Sequence, residues 1–286
     1  MKKALSILTA GCLAVSLAAC GSTAASSAAS AADSTASSAA ESTAASDTAA
    51  ADGQTYKVGI CQLVQHVALD AATQGFKDAL TEQLGDAVTF EEKNAQGDSN
   101  TCSTIINGFV SDNVDLILAN ATPALQAAQA GTNTIPVLGT SVTEYGVALG
   151  IDDFDGLVGT NISGTSDLAP LDEQAGIIKE LFPDAKTVGL LYCSAEPNSQ
   201  YQVDTVKASL EELGYTCEYY AFSDSNDLAT VCQSAADASD VIYVPTDNTV
   251  ANNTEIVNNI CQPAGVPVVA GEEGIMSGCG VATLSI

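Results

Sequence analysis

Cys61 and the chain's one histidine, His66, stand five residues apart, a thiol and an imidazole that could in principle form a nucleophile and base. No third group marks itself as the orienting partner of such a base, and a histidine at that spacing also reads as a core residue. The sequence contains no G-x-x-x-x-G-K, G-x-G-x-x-G, G-x-S-x-G or H-E-x-x-H pattern, so phosphate-loop, dinucleotide, serine-elbow and zinc-protease chemistry lack their residues. What recurs is a short polar cluster after each apolar run. Gln62 to His66, Asn120 with Thr122, and Thr140 with Ser141 fall in the first half. Thr165, Ser166 and Asp167, then Asn198 and Ser199, then Thr246, Asp247 and Asn248, then Glu272, fall in the second. Any one of these reads as a helix cap or turn. Repeated at every strand end, they make a candidate set for holding a small polar ligand by hydrogen bonds. Asp247, or failing it Asp167 or Glu272, could meet an amine, while hydroxyls and helix N-termini could meet a carboxylate.

The elements that must position these residues alternate between strand and helix. Tyr56 opens a short apolar run with β-branched residues, read as a buried strand. From Leu69 the period becomes helical, with Leu69, Ala72, Phe76, Ala79 and Leu80 on one stripe. Strand patterns at 88–93, 115–119 and 135–139 follow, separated by helical ones, and Pro123 suits a helix start with Thr122 as its N-cap. This alternation predicts a parallel sheet with helices on both faces and ligands at the carboxyl ends of the strands. The run 151–167 breaks it with Gly, Asp, Asn, Ser and Thr. It reads as a crossing between lobes, with Gly159 and Gly164 supplying hinge freedom; Asp152, Asp153 and Asp155 read as a solvated turn, because the terminal acid of a calcium loop is missing.

A second series follows: helix 168–182, strand 187–193, helix 198–213, strand 215–222, helix 226–236, strand 240–244, helix 248–260, strand 266–270 and a last apolar segment, 280–286. The expected organisation is therefore α/β, with lobe one at 56–163 and lobe two at 164–286. A second lobe of this kind usually returns the chain to the first, so the sequence is expected to lack that carboxyl-terminal return.

At the amino terminus, Lys2 and Lys3 precede an uncharged apolar stretch ending Leu17-Ala18-Ala19-Cys20-Gly21. That is too short to span comfortably and has the layout of a signal peptide with a lipobox at 1–20, so Cys20 is the expected lipidation site and membrane anchor. Residues 21–55 are nearly all Ala, Ser and Thr, without the large apolar side chains that would offset ordering, and predict a flexible tether. The net charge is −27 and no arginine occurs; such a surface repels nucleic-acid phosphates. It also offers no guanidinium to an anionic ligand. Nine cysteines include Cys12 and Cys20, leaving seven that show neither zinc nor redox-dithiol spacing. They read as core thiols, with Cys193 and Cys217 the candidates for one disulfide. No cofactor and no metal is expected.

Q-L-V-x-H-x-A-L-D from Gln62, Gly164-Thr165-Ser166-Asp167 with Pro170, the Leu-Tyr-Cys-Ser strand end with Asn198-Ser199, and Tyr243-Val244-Pro245-Thr246-Asp247-Asn248-Thr249-Val250 with Gly271-Glu272 resemble successive signatures of the substrate-binding lipoproteins of ABC importers, tryptophan/tyrosine-binding type. The resemblance runs from about Tyr56 to the last residue. Val67 departs from it, standing where proline usually follows the histidine. It implies two Rossmann-like lobes of the type I periplasmic-binding-protein fold, no enzymatic activity, and an aromatic or other apolar amino acid held between the lobes. It also implies a lipid-anchored location on the outer face of the cell membrane and delivery to the permease subunits of a transporter. A sugar or nucleoside binder of the same fold, and a surface α/β enzyme, are the competing readings; the chain has neither Trp nor Arg for a sugar site.

Overall fold

The computed structural model describes residues 53–285; the predicted leader, Cys20 and residues 21–52 of the tether lie outside them. The first lobe runs β1 (Tyr56–Gln62), α1 (Val67–Leu84), a 3-10 turn (Gly85–Ala87), β2 (Val88–Asn94), α2 (Ser99–Ser111), β3 (Leu116–Asn120), α3 (Thr122–Gly131), β4 (Val137–Val142), α4 (Tyr145–Leu149) and β5 (Ile162–Ser166). The second runs α5 (Leu171–Leu181), β6 (Thr187–Cys193), α6 (Pro197–Glu212), β7 (Thr216–Phe222), α7 (Ser225–Ala238) and β8 (Val241–Val244), followed by α8 (Asn248–Ala251), α9 (Thr254–Ala264), β9 (Val268–Ala270), α10 (Glu273–Cys279) and β10 (Ala282–Thr283). Each lobe holds a five-stranded parallel sheet, in the orders β2-β1-β3-β4-β5 and β10-β9-β8-β6-β7. The α/β expectation is borne out. Among the described residues, no helix is long and apolar enough to cross a membrane.

The central strands are apolar at successive positions because helices cover both faces. Ile117, Phe109 and Leu125 pack in one cluster while Ile60 and Leu118 pack in another. In the second lobe Leu191, Val244 and Val257 lie in one cluster, and Leu190, Tyr243 and Ile178 in the other. The order of each sheet reverses beside its first strand, β1 in one and β6 in the other. Crevices therefore open at the carboxyl ends of β1 and β3, and of β6 and β8.

Several boundaries differ from expectation, each for a local reason. β5 pairs with β4, so the expected lobe boundary at 163/164 falls inside a strand of the first sheet, and Thr165 and Ser166 do not open a helix. Gly164 is needed there for close approach: a Cβ would collide with the Gly139 backbone and the Tyr145 hydroxyl, whereas a Cβ on Gly159 would meet open space. Gly164→Ala is therefore expected to cost about 3 kcal/mol by overpacking. Gly159→Ala, at a φ of +72°, is expected to cost about 1 kcal/mol from left-handed strain alone. Urea denaturation of the two variants checks this, and the reverse order would show that Gly164 acts as a hinge.

Helix α3 starts at Thr122, and its N-cap is Ala121, with no side-chain cap. The expected helix 248–260 breaks into α8 and α9 at Asn252 and Asn253, where Asn253 donates its side chain to the Thr249 carbonyl at 2.8 Å and competes with regular helix. Helix α4 is too short to show a period; Glu144 starts it by accepting from Gly146 and Val147 N–H. Cys193 pairs with Phe222 and Cys217 with Val188, so those cysteines occupy opposite ends of β6–β7 and cannot bridge. All seven described cysteines are free thiols.

Candidate functional site

At the end of β1, Gln62 is buried and committed to its own lobe. Its amide donates to the Val64 carbonyl at 2.9 Å and to Asp70 Oδ1 at 2.7 Å, and its Oε1 accepts from the Thr73 hydroxyl at 2.6 Å. Asn120, fully buried at the end of β3, donates to the Leu69 carbonyl at 2.8 Å and to Thr73 Oγ1 at 2.9 Å. These bonds fasten α1 to the sheet at the switch point, so Gln62 is scaffolding rather than a free ligand contact. Asn120 Oδ1, however, is buried without a partner.

The neighbouring strand ends carry backbone strain. Ala121 has φ +90° and Ser141 φ +55°, conformations that cost about 1–3 kcal/mol in a non-glycine residue and cluster at functional sites. Ser141 lies where the β4–β5 register shifts between Gly139 and Val142. Among the described residues, no hydrogen bond engages the hydroxyls of Thr122, Thr140, Ser141 or Thr165. The strained bulge thus presents unspent donors at the ends of β3, β4 and β5. Ser166 differs: its hydroxyl donates to the Thr143 carbonyl at 2.7 Å and accepts from Leu168 N–H at 3.2 Å, fixing the start of the crossing.

Asp167 follows β5 and its N–H donates to the Val142 carbonyl at 3.2 Å. Burial holds its carboxyl above the usual range, against the opposing help of the Thr143 hydroxyl. Its Oδ1 is buried without a donor. Nearby, burial and then the Asp167 charge push the Tyr145 phenol up to about 12.

In the second lobe the acids cap helices. Asp247, 1% exposed, accepts from Val250 N–H at 2.9 Å and from Cys193 N–H at 2.7 Å. Burial, reinforced by Glu196, pushes it up to about 7 in spite of those donors. Glu196 takes four bonds: Asn248 N–H at 3.1 Å, Asn248 Nδ2 at 2.6 Å, Thr249 N–H at 2.9 Å and the Thr249 hydroxyl at 2.8 Å. Glu272 caps α10 through Gly274 and Ile275 N–H. Asp247 and Glu272 are thus spent on backbone donors. Asn198 donates to the Thr246 carbonyl at 3.0 Å and to Ser199 Oγ at 3.4 Å, leaving its own Oδ1 buried and unpartnered. Ser199 is fully buried beside Asp247. Gln202 grips Thr246, accepting from its N–H at 3.1 Å, and the Thr246 hydroxyl reaches only the Gly271 carbonyl at 3.4 Å.

Between the lobes lies a cavity of about 260 Å³. Leu63, Val64 and Pro123 line it from the first lobe, and Cys193, Glu196, Asn248 and Thr249 from the second, the loops at the two switch points. Asn248 is the one residue of the expected set on this lining; Asp98, Glu196 and Asp224 add carboxylates that the sequence reading missed. Asp98 and Asp224 follow a recognisable signal, an acid just before a helix, and cap α2 and α7. Glu196 also stands just before a helix, at the N-cap of α6, but its side chain does not cap that helix; it serves the N-terminus of α8, some fifty residues further along the chain. His66 Nε2 reaches across the cleft to Asn248 Oδ1 at 3.1 Å.

A family profile described as ABC transporter substrate binding protein matches residues 57–286. A tyrosine-binding protein of Clostridioides difficile strain R20291 is 37% identical over 232 residues, spanning 80% of this chain and 67% of that one. Among solved structures, an ABC domain from Streptococcus pneumonia in complex with L-Trp is 32% identical with a TM-score of 0.76, over 80% of this chain and 78% of that one. A ligand-free, open substrate-binding protein with adhesive properties from Clostridium difficile is 38% identical with a TM-score of 0.55, over 79% of this chain and 77% of that one. The chain that is more alike in sequence superposes less well.

Proposed function

Because the chain belongs to the substrate-binding proteins of ABC transporters, we propose that its particular solute is an aromatic or other apolar amino acid, held between the lobes and passed to a membrane permease. Three buried acceptor oxygens without donors support this reading, Asn120 Oδ1 in the first lobe, Asp167 Oδ1 at the crossing and Asn198 Oδ1 in the second; none of the three residues is on the lining of the cavity of about 260 Å³. Leaving such an atom unpaired costs about 1–3 kcal/mol, and an ammonium brings three N–H donors. Asp247 and Glu272 already serve the backbone, so Asp167 is the carboxylate for that ammonium. The free hydroxyls of Thr122, Thr140, Ser141 and Thr165 are the donors for the solute's carboxylate, in a chain without arginine. The names of two relatives, one tyrosine-binding and one holding L-Trp, support the aromatic class.

A thermal-shift panel tests this, since a ligand that binds the native state raises the midpoint by mass action. L-Tyrosine, L-tryptophan and L-leucine are set against 3-phenylpropionate, a sugar and a nucleoside. Stabilisation by the amino acids and none by the amine-free acid is expected; stabilisation by the sugar or nucleoside alone overturns the reading. The same proposal places the protein on the outer face of the cell membrane through lipid on Cys20. Cys20→Ser is expected to move it from the membrane fraction to the medium, and retention in the membrane would exclude that anchor.

A further inference from the structure

His66 stands at the N-cap of α1 without capping it, and its ring meets a residue 182 positions away in the other lobe. The direction of that bond follows from its neighbours. Glu196 is 3% exposed and its two oxygens accept from four N–H and O–H donors, so they act here as acceptors. The Asn248 amide must therefore turn Nδ2 to Glu196, at 2.6 Å, and Oδ1 to the imidazole. Nε2 of His66 then carries the hydrogen. The result is one donor chain, His66 to Asn248 to Glu196. Asn248 and Glu196 line the interlobe cavity, whereas His66 does not.

We propose that this chain is a latch: His66 holds the closed cleft shut by donating to Asn248, and acts on solute release without contacting the solute. This replaces the sequence-based expectation of His66 as a ligand contact. The proposal rests on the solute-capture reading, and its test separates the two.

Gln places its amide N as many bonds from Cα as the imidazole Nε2, whereas Asn stops one bond short. His66→Asn is thus expected to break the latch and His66→Gln to keep it. Asn is also a preferred N-cap, so His66→Asn is not expected to lower the thermal midpoint. Its release of L-tryptophan, followed by stopped flow, is expected to be roughly tenfold faster, with association little changed. The chain contains no tryptophan, which leaves the probe's emission unobscured. Equal release rates in wild type and His66→Asn overturn the latch.

The second readout is the nitrogen spectrum of the imidazole, unambiguous because the chain has one histidine. A hydrogen on Nε2, with a signal that moves in Asn248→Ala, is expected. A neutral ring carrying its hydrogen on Nδ1, or a signal indifferent to Asn248→Ala, overturns the proposal. That comparison is made on saturated protein or, if neither L-tyrosine nor L-tryptophan binds, on the free protein. Failure of both amino acids to bind would overturn the solute reading while the spectrum still decides on the latch.

Discussion

Asp167→Asn is expected to weaken binding of the solute amino acid by a few hundred-fold or more at pH 7, with little change in thermal stability. The substitution keeps size and one acceptor oxygen but removes the charge. Removing one partner of a buried ion pair typically costs about 3–5 kcal/mol, which converts to that loss of affinity. Stability is spared because no donor in the protein depends on the orphaned Oδ1. The pH dependence carries the same signature. In the free protein, burial holds the Asp167 carboxyl above the ordinary range, and an ammonium beside it favours the ionised form. Affinity is therefore expected to be level near neutrality and to fall as pH drops through that raised value, with proton release on binding in the same window. Asp167→Asn is expected to lose this slope. Calorimetric titration between pH 5 and 8 in wild type and variant measures both effects. Near-equal affinities at pH 7 would remove Asp167 from the site.

The architecture was legible because its causes are local. A buried strand is an apolar run, a helix behind it is an apolar stripe, and their alternation constrains the sheet to be parallel. Elements without such a signature were missed: α4 has five residues, and β5, Ile-Ser-Gly-Thr-Ser, has a single buried residue and reads as loop. The polar residues at strand ends were findable by position, but their roles were not. Gln62 and Asp247 look alike in sequence to Asp167, each a polar residue near a strand end. In space Gln62 is bound to Asp70 and Thr73 and Asp247 to two backbone N–H groups, while Asp167 Oδ1 has nothing. Whether a side chain is spent or free depends in part on partners up to 54 residues away, and local pattern carries no record of those. Glu196 shows the same limit from the other side. It sits at the N-cap of α6 without capping it and instead serves α8 from 52 residues away, so capping preference points to the wrong helix.

Asp247→Ala is expected to destabilise the second lobe by about 2–5 kcal/mol. One part is the lost N-cap of α8, about 1 and up to about 2 kcal/mol. The other is Cys193 N–H, buried at the end of β6 and left without its acceptor, about 1–3 kcal/mol. Asp247→Asn is expected to fall between wild type and Ala, because one oxygen can serve Val250 while the amide then faces Cys193 N–H. Titration distinguishes this acid from an ordinary cap. Burial, then the Glu196 carboxylate, pushes Asp247 up to about 7 in the fold, while an unfolded aspartate titrates near about 3.9. A folded value above the unfolded one means that folding takes up a proton between the two. The contribution of this group is therefore fully present below about pH 4 and is lost as pH rises through about 7. An Asn has no such proton, so the stability gap between wild type and Asp247→Asn is expected to be widest at pH 5 and to shrink by pH 8. Urea unfolding of the pair at those two pH values measures the gap. A gap that stays constant would mean that Asp247 remains ionised throughout, its two backbone donors outweighing its burial, and that Glu196 and Asp247 carry their charges side by side.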